Sequence, residues 1–260
     1  MATVDFEAYL SEDYRDGAPF DLEILLRMED EAGIDFAVVM PANTSSGPNA
    51  VLYRQPDNLR VAQAIRGNKR CIGCATINPT LGIDNIKTQF SIIDEYGFGG
   101  PKLMALLHEY VIDDDIVDPI MQMTRERGLV ASIHSGSGDV HPNRIGHIAA
   151  RFPEVPIIMD HMGYPDSTED AIVVAEAHPN IYLGTTILRF FKSDPAQAVP
   201  TAVAEAVQRV GPERVVWGSN LPEYEHSALW CRQAIERLHL GAAAERLIMG
   251  ENLMRIYKIS

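Results

Sequence analysis

Residues 214–222 read RVVWGSNLP, an apolar run that stops abruptly at a small residue, a hydroxyl, an amide and a proline. Runs of this kind form the buried strands of parallel sheets, and the loop after such a strand is where α/β enzymes carry their chemistry. Seven more runs precede it. They are TVDFEAYL (3–10), DFAVVMPA (35–42), RCIGCATI (70–77), GGPKLMAL (99–106), GLVASIHS (128–135), VPIIMDHM (155–162) and NIYLGTTI (180–187), and RVVWGS (214–219) completes the set. Between them lie stretches with apolar residues at helical spacing, such as DNLRVAQAIRG, GIDNIKTQFSIIDEYG and DIVDPIMQMTRERG, each closing in Gly. Strands alternating with helices imply right-handed βαβ units and a parallel sheet, and eight units in about 250 residues is the size of a (β/α)8 TIM barrel. A doubly wound open sheet is the alternative, but no G-x-G-x-x-G follows the first strand. No linker, low-complexity segment or short-period repeat interrupts residues 1–260, which read as one domain. The tail, AAAERLIMGENLMRIYKIS, reads as one or two helices closing the barrel.

The net charge of -14 and pI near 4.9 argue against a nucleic-acid partner, because phosphate binding needs clustered Lys and Arg. The first residues, MATVDFEAYLSEDY, are acidic where a signal peptide needs a basic region and an apolar stretch. No apolar run approaches the roughly 20 residues that span a bilayer, so no membrane partner is expected. Three cysteines make no disulfide framework and suit a reducing, cytoplasmic setting. Cys71 and Cys74 form a C-x-x-C, but inside a predicted strand, whereas a redox pair needs its thiolate at a helix N-terminus; small buried strand residues are the plainer reading.

In a TIM barrel the active site sits at the C-terminal ends of the strands. Glu7 and Tyr9 close the first run and share one face, because strand side chains alternate with period two. Lys102 falls on the fourth run, His134 ends the fifth, His161 the sixth, and Asn220 follows the eighth. Two imidazoles and a carboxylate are a usual donor set for Zn2+ or another first-row ion such as Mn2+, against the alternative of hydrogen-bonded structural histidines.

GFGGPKLM, LVASIHSGSG, ARFPEVPIIMDHMGYP, HPNIYLGTT, RVVWGSNLP and LIMGENLMRIY together resemble the amidohydrolase-related proteins of the amidohydrolase superfamily. The resemblance implies a distorted (β/α)8 barrel, often holding one divalent metal, in enzymes that hydrolyse, decarboxylate or hydrate small substrates. His134 and His161 match the histidines that end the family's fifth and sixth strands. The family's first strand carries D-x-H-x-H; here Asp5 is kept, Glu7 replaces the first histidine and Tyr9 the second. A glutamate at this position resembles the decarboxylase branch. The eighth strand normally ends Gly-Ser-Asp, the aspartate binding metal and moving protons, and here the sequence is Gly-Ser-Asn. An amide oxygen coordinates weakly, and the side chain takes no proton from water near neutral pH.

The resemblance thus implies a metal set of Glu7, His134, His161 and Asn220, net positive with a divalent ion, suited to an anionic small-molecule substrate and holding Zn or Mn less tightly than the parent pattern. His134, Asn220 and Glu223 are the expected catalytic group. Glu223 and His226 in LPEYEHS, and Asp139 and His141 in GSGDVHP, are the candidates to replace the missing base, or else solvated loop residues. Tyr9, Lys102 and Arg189 are the expected substrate-binding group. For Lys102 the alternative is an ion pair with a neighbouring carboxylate, and for Arg189 packing among its flanking aromatics. The expected function is a hydrolase or carboxy-lyase for a small carboxylated or ester- or lactone-like substrate. A metal-independent lactone hydrolase and a barrel that only binds small acids are the alternatives. A homodimer is compatible with all three.

Overall fold

A computed structural model of the protein describes residues 2–14, 18–42, 56–186, 199–222 and 227–259. Each of the eight apolar runs contains a strand: β1 (Val4–Tyr14), β3 (Phe36–Pro41), β4 (Cys71–Thr76), β5 (Gly100–Leu103), β6 (Ala131–His134), β7 (Ile157–Asp160), β8 (Ile181–Gly184) and β9 (Val215–Val216). The sequence reading did not anticipate β2 (Ala18–Phe20), which folds back antiparallel on the far end of β1. All other neighbours pair in parallel, in the order β1-β3-β4-β5-β6-β7-β8-β9.

The sheet curls until its last strand meets its first. The Phe6 amide donates to the Trp217 carbonyl at 3.2 Å, the Tyr9 amide donates to the Leu221 carbonyl at 2.9 Å, and Ala8 and Leu221 form a parallel bridge. Eight parallel strands closed in this way make the expected (β/α)8 barrel. It is distorted at the seam, where β9 is regular for two residues only. The seam is tight enough to require glycine: a Cβ on Gly218 would lie 2.6 Å from Thr186 Cγ2 and 3.1 Å from the Phe6 ring.

Strand alternation sorts the core into two layers. Ala37, Val39, Ala131, Ile133, Ile157, Met159, Leu183 and Val215 point outward against the helices. Val4, Phe6, Val38, Met40, Cys74, Ile158 and Val216 fill the barrel interior, where Leu253 and Ile256 of the C-terminal helix join them. On β1 the alternation is broken once. Asp5 pairs with Ala37 and Ala8 with Val39, three steps on one strand against two on the other, so a β-bulge inserts one extra residue. This bulge decides where Glu7 goes.

The covering helices are α1 (Leu22–Ala32), α2 (Asn58–Ile65), α3 (Ile83–Tyr96), the single turn α4 (Ala105–His108), α5 (Asp118–Arg127), α6 (Pro142–Arg151), α7 (Thr168–Ala177), α8 (Thr201–Val210) and α9 (Ser227–Glu236). Their limits follow local chemistry. Asp21 and Asp57 accept from the first-turn amides of α1 and α2, and α1, α3 and α5 end on Gly33, Gly97 and Gly128 in the left-handed conformation that glycine adopts without a Cβ clash. The tail forms α10 (Ala242–Arg246), a π-helical turn over Leu247–Glu251, and α11 (Asn252–Tyr257). Among the described residues no helix is long and apolar enough to cross a membrane.

Candidate active site

At the C-terminal ends of β1, β5, β6 and β7 the barrel interior turns polar. Lys102 on β5 is fully buried, and its ammonium lies 2.7 Å from Glu7 Oε1 of β1 and in direct contact with Asp160 Oδ2 of β7. Tyr9 donates its hydroxyl to the same Glu7 oxygen, and Ser132 on β6 donates to Asp160 Oδ1 at 3.0 Å. Beneath them the Phe6 ring lies 5.8 Å from the ammonium. Lysine is among the residues least often fully buried, and its burial here depends on the two carboxylates that receive it.

The histidines stand beside this cluster. His161 Nδ1 lies 3.9 Å from Glu7 Oε2 and 2.6 Å from the Thr186 hydroxyl, while its Nε2 is 3.1 Å from His134 Nδ1. Alternation alone would send His161 to the outer layer, since Asp160 already occupies the inward position two residues after Ile158. A run of left-handed residues brings it back: φ is 61° at His161, 48° at Met162 and 68° at Gly163. Each non-glycine residue in this region costs about 1–2 kcal/mol, so the turn needs external support. Ser135 supplies it, donating to the Asp160 carbonyl while accepting from the Gly163 amide at 2.8 Å.

Burial dominates the electrostatics. It works to raise the Glu7 carboxyl, but the Lys102 charge, then His161, with bonds from Lys102 and Tyr9, bring Glu7 down to about 2. Burial lowers His161 to about 4, and Glu7 recovers only part of the loss. His134 falls well below the usual imidazole range through burial, then His161 and Lys102. Burial therefore disfavours the charged form of both rings, which each keep one N–H donor and one acceptor nitrogen.

Asp5 is the other carboxylate of β1: ordinary alternation from the inward Val4 turns it outward, and the bulge that follows it is what brings Glu7 inward. Ser219 donates to it twice, from its amide at 2.7 Å and from its hydroxyl, so the pair fastens the last strand to the first. Asn220 follows, half-buried, with φ 59°, a left-handed conformation that Asn tolerates better than most side chains.

Of the residues expected from sequence, Glu7, Tyr9, Lys102, His134 and His161 are thus brought together. Asp139 is exposed, and His141 caps α6, accepting from the Asn143 amide at 3.2 Å and facing Asp170 at 3.5 Å. Arg189, Glu223 and His226 lie outside the described residues. Cys71 and Cys74 sit on opposite faces of β4, Cys71 against the outer layer and Cys74 in the barrel interior, with thiols pushed up to about 12 by burial. Asp160, Ser132, Ser135 and Thr186 were missed. For Asp160 a signal existed, because period two from Ile158 points it inward.

The expected metal can be tested against these contacts. Among the described residues, Glu7, Asp160 and His161 offer donor atoms within 4.8 Å of one another, an acid and histidine cluster of the kind that holds a metal ion. His134 is linked to that trio through the His161 ring. The place between the two carboxylates is filled, however, by Lys102. A divalent ion about 4 Å from an ammonium meets a repulsion of about 8 kcal/mol at an effective dielectric of about 20. With Lys102 where it stands, the residues do not fit a divalent ion. A separate cavity of about 620 Å³ at the opposite end of the barrel, lined by Lys69, Cys71, Arg127, Tyr257 and Lys258 among others, shares none of the cluster's residues.

No curated protein matches the chain in sequence. Solved structures match it closely in shape. A putative 2-pyrone-4,6-dicarboxylic acid hydrolase from Pseudomonas putida is 14% identical with a TM-score of 0.77, covering 100% of this chain and 98% of its own. The 5-carboxyvanillate decarboxylase of Sphingomonas paucimobilis is 14% identical with a TM-score of 0.71, over 100% and 99%. An amidohydrolase from Burkholderia multivorans with bound zinc is 12% identical with a TM-score of 0.77, over 100% of both chains. At these identities the likeness shows the fold. The amidohydrolase family model matches residues 7–259, which takes in the first strand from Glu7 onward, the buried ion cluster and the histidine pair, and the chain therefore belongs to the amidohydrolase family.

Proposed function

We propose that the protein is a hydrolase of small carboxylated esters or lactones, acting at the C-terminal mouth of the barrel with the His134–His161 pair as its proton acceptor. The observation that supports this is the pair itself: two neutral rings joined at 3.1 Å beside a buried ion cluster. Among the described residues His134 bonds only to His161, and His134 is the more exposed ring. With the Nδ1 proton of His161 given to Thr186 and that of His134 given to His161, His134 Nε2 carries a lone pair and can take a proton from an attacking water. Asn220 cannot do so, which makes the histidine pair the replacement for the aspartate that the family's eighth strand usually provides.

Hydrolysis is favoured over decarboxylation on the same ground. Activating water needs a base that is unprotonated at neutral pH, whereas protonating the carbanion left by CO2 loss needs an acid, and both rings are held neutral. The structural neighbours include a putative 2-pyrone-4,6-dicarboxylic acid hydrolase and a 5-carboxyvanillate decarboxylase, both named for compounds that carry carboxyl groups, which supports the substrate class. The test is a screen of carboxylated lactones, aryl esters and hydroxybenzoates, read by proton release and by CO2. Lactone or ester turnover should fall about 100-fold or more in kcat in His134→Gln, with KM little changed. CO2 release without any ester or lactone cleavage would overturn the reading.

A further inference from the structure

In this barrel the cation between the first-strand and sixth-barrel-strand carboxylates is part of the chain. We propose that the Lys102 ammonium is the resident cation of the centre, seated where a divalent ion would otherwise stand, and that the protein holds no catalytic metal. This rests on the reading that the Glu7 centre is the reactive end of the barrel, but not on which reaction occurs there.

The donor inventory carries the argument. Glu7 Oε1 receives both Lys102 and the Tyr9 hydroxyl. Asp160 receives Lys102 on Oδ2, and the Ser132 hydroxyl lies 3.0 Å from Oδ1 and 3.2 Å from Oδ2. Both His161 nitrogens are engaged, Nδ1 with Thr186 at 2.6 Å and Nε2 with His134 at 3.1 Å. Of the donor atoms in the trio only Glu7 Oε2 is buried without a hydrogen-bond partner, and one oxygen does not hold an ion. A metal would have to displace Lys102 from two carboxylates. Lys102 is 0% exposed, and its backbone is held on both sides by pairing with Thr76 of β4 and Ser132 of β6. The charge count agrees. Two carboxylates and one ammonium leave a single negative charge beside neutral histidines, whereas ammonium and divalent ion together would be one cation too many.

The experiment is a metal measurement on the native protein purified without chelators, followed by titration with Zn2+ and with Mn2+, read by calorimetry and by melting temperature. Native protein should contain far less than one ion per chain, and neither ion should raise its Tm. Lys102→Gln removes the resident cation and frees both carboxylates, so it should take up about one ion per chain and gain several degrees in Tm on adding Zn2+. Where that variant does not fold, the native titration decides alone. One tightly held ion per native chain overturns the proposal even if the protein proves to be an esterase. Metal-free protein that turns over no ester or lactone leaves the proposal standing and removes the functional reading instead.

Discussion

Asp5 and Glu7 stand two residues apart on β1, both fully buried, and the molecule treats them in opposite ways. Glu7 faces the barrel interior, meets an ammonium, and is held down to about 2. Asp5 faces the helix layer, where its donors are the neutral Ser219 amide and hydroxyl and the Glu7 amide at 3.1 Å. Its neighbour there is another buried carboxyl, Glu29 of α1, and burial pushes the Asp5 carboxyl up. Glu29 is pushed well above the ordinary glutamate value, by burial and then by Asp5. One carboxyl side chain type therefore serves as the anion of an ion pair on one face and as an acceptor of neutral donors, beside a second buried carboxyl, on the other. A single inserted residue in the strand separates the two environments.

The comparison can be broken most strongly at Glu7. Glu7→Gln leaves Lys102 buried with one carboxylate instead of two and should cost about 3–4 kcal/mol in urea unfolding at pH 7. That cost has a defined pH window. A carboxyl lowered from 4.5 to about 2 contributes its full stability above 4.5 and loses it as pH falls toward 2, so the gap between wild type and variant should close over that range. A gap that persists at pH 2 would mean that packing rather than charge holds Glu7 in place. His161, lowered from 6.5 to about 4, should add its own loss of wild-type stability as pH falls from 6.5 to 4, because the unfolded ring takes up a proton that the folded ring refuses.

Asp5→Asn should cost less, about 1–2 kcal/mol, because the amide keeps one acceptor for Ser219 and no buried cation is left behind. If Asp5→Asn proved costlier than Glu7→Gln, the seam rather than the ion cluster would be the principal buried electrostatic feature of the barrel. Glu29→Gln should be the mildest change, within about 0.5 kcal/mol of wild type near pH 4.5. Its effect should turn stabilising as pH rises. A carboxyl whose folded pKa is raised gives its stability below the unfolded value and loses it above, and glutamine removes that loss. A variant that instead becomes less stable relative to wild type at pH 8 would show that Glu29 is ionised and paired.

The apolar runs placed eight barrel strands in register with what the structure shows, because a strand buried on both faces has to be apolar throughout. Period two also placed Glu7 and Tyr9 on one face, where they share a hydrogen bond. The same rule carries from Ile158 to Asp160 and points the acid of the cluster inward, although His161 is the more conspicuous residue of that run. Where alternation itself fails, at the β1 bulge and at the left-handed turn after β7, no pattern in the residues announces it. Both are cases in which contacts from elsewhere, Ser219 and Ser135, over-determine the backbone.

Sequence alone determined the strand and helix order, the parallel barrel, the end of it at which Glu7, Tyr9, Lys102, His134 and His161 gather, and the amide at Asn220. Hydrophobic periodicity and side-chain chemistry are local properties, and a linear reading recovers them. That Lys102 is buried between two carboxylates was decided only by the tertiary structure. Glu7, Lys102 and Asp160 come from strands 95 and 58 residues apart, and which charge neutralises which depends on distances that exist only once the barrel has closed.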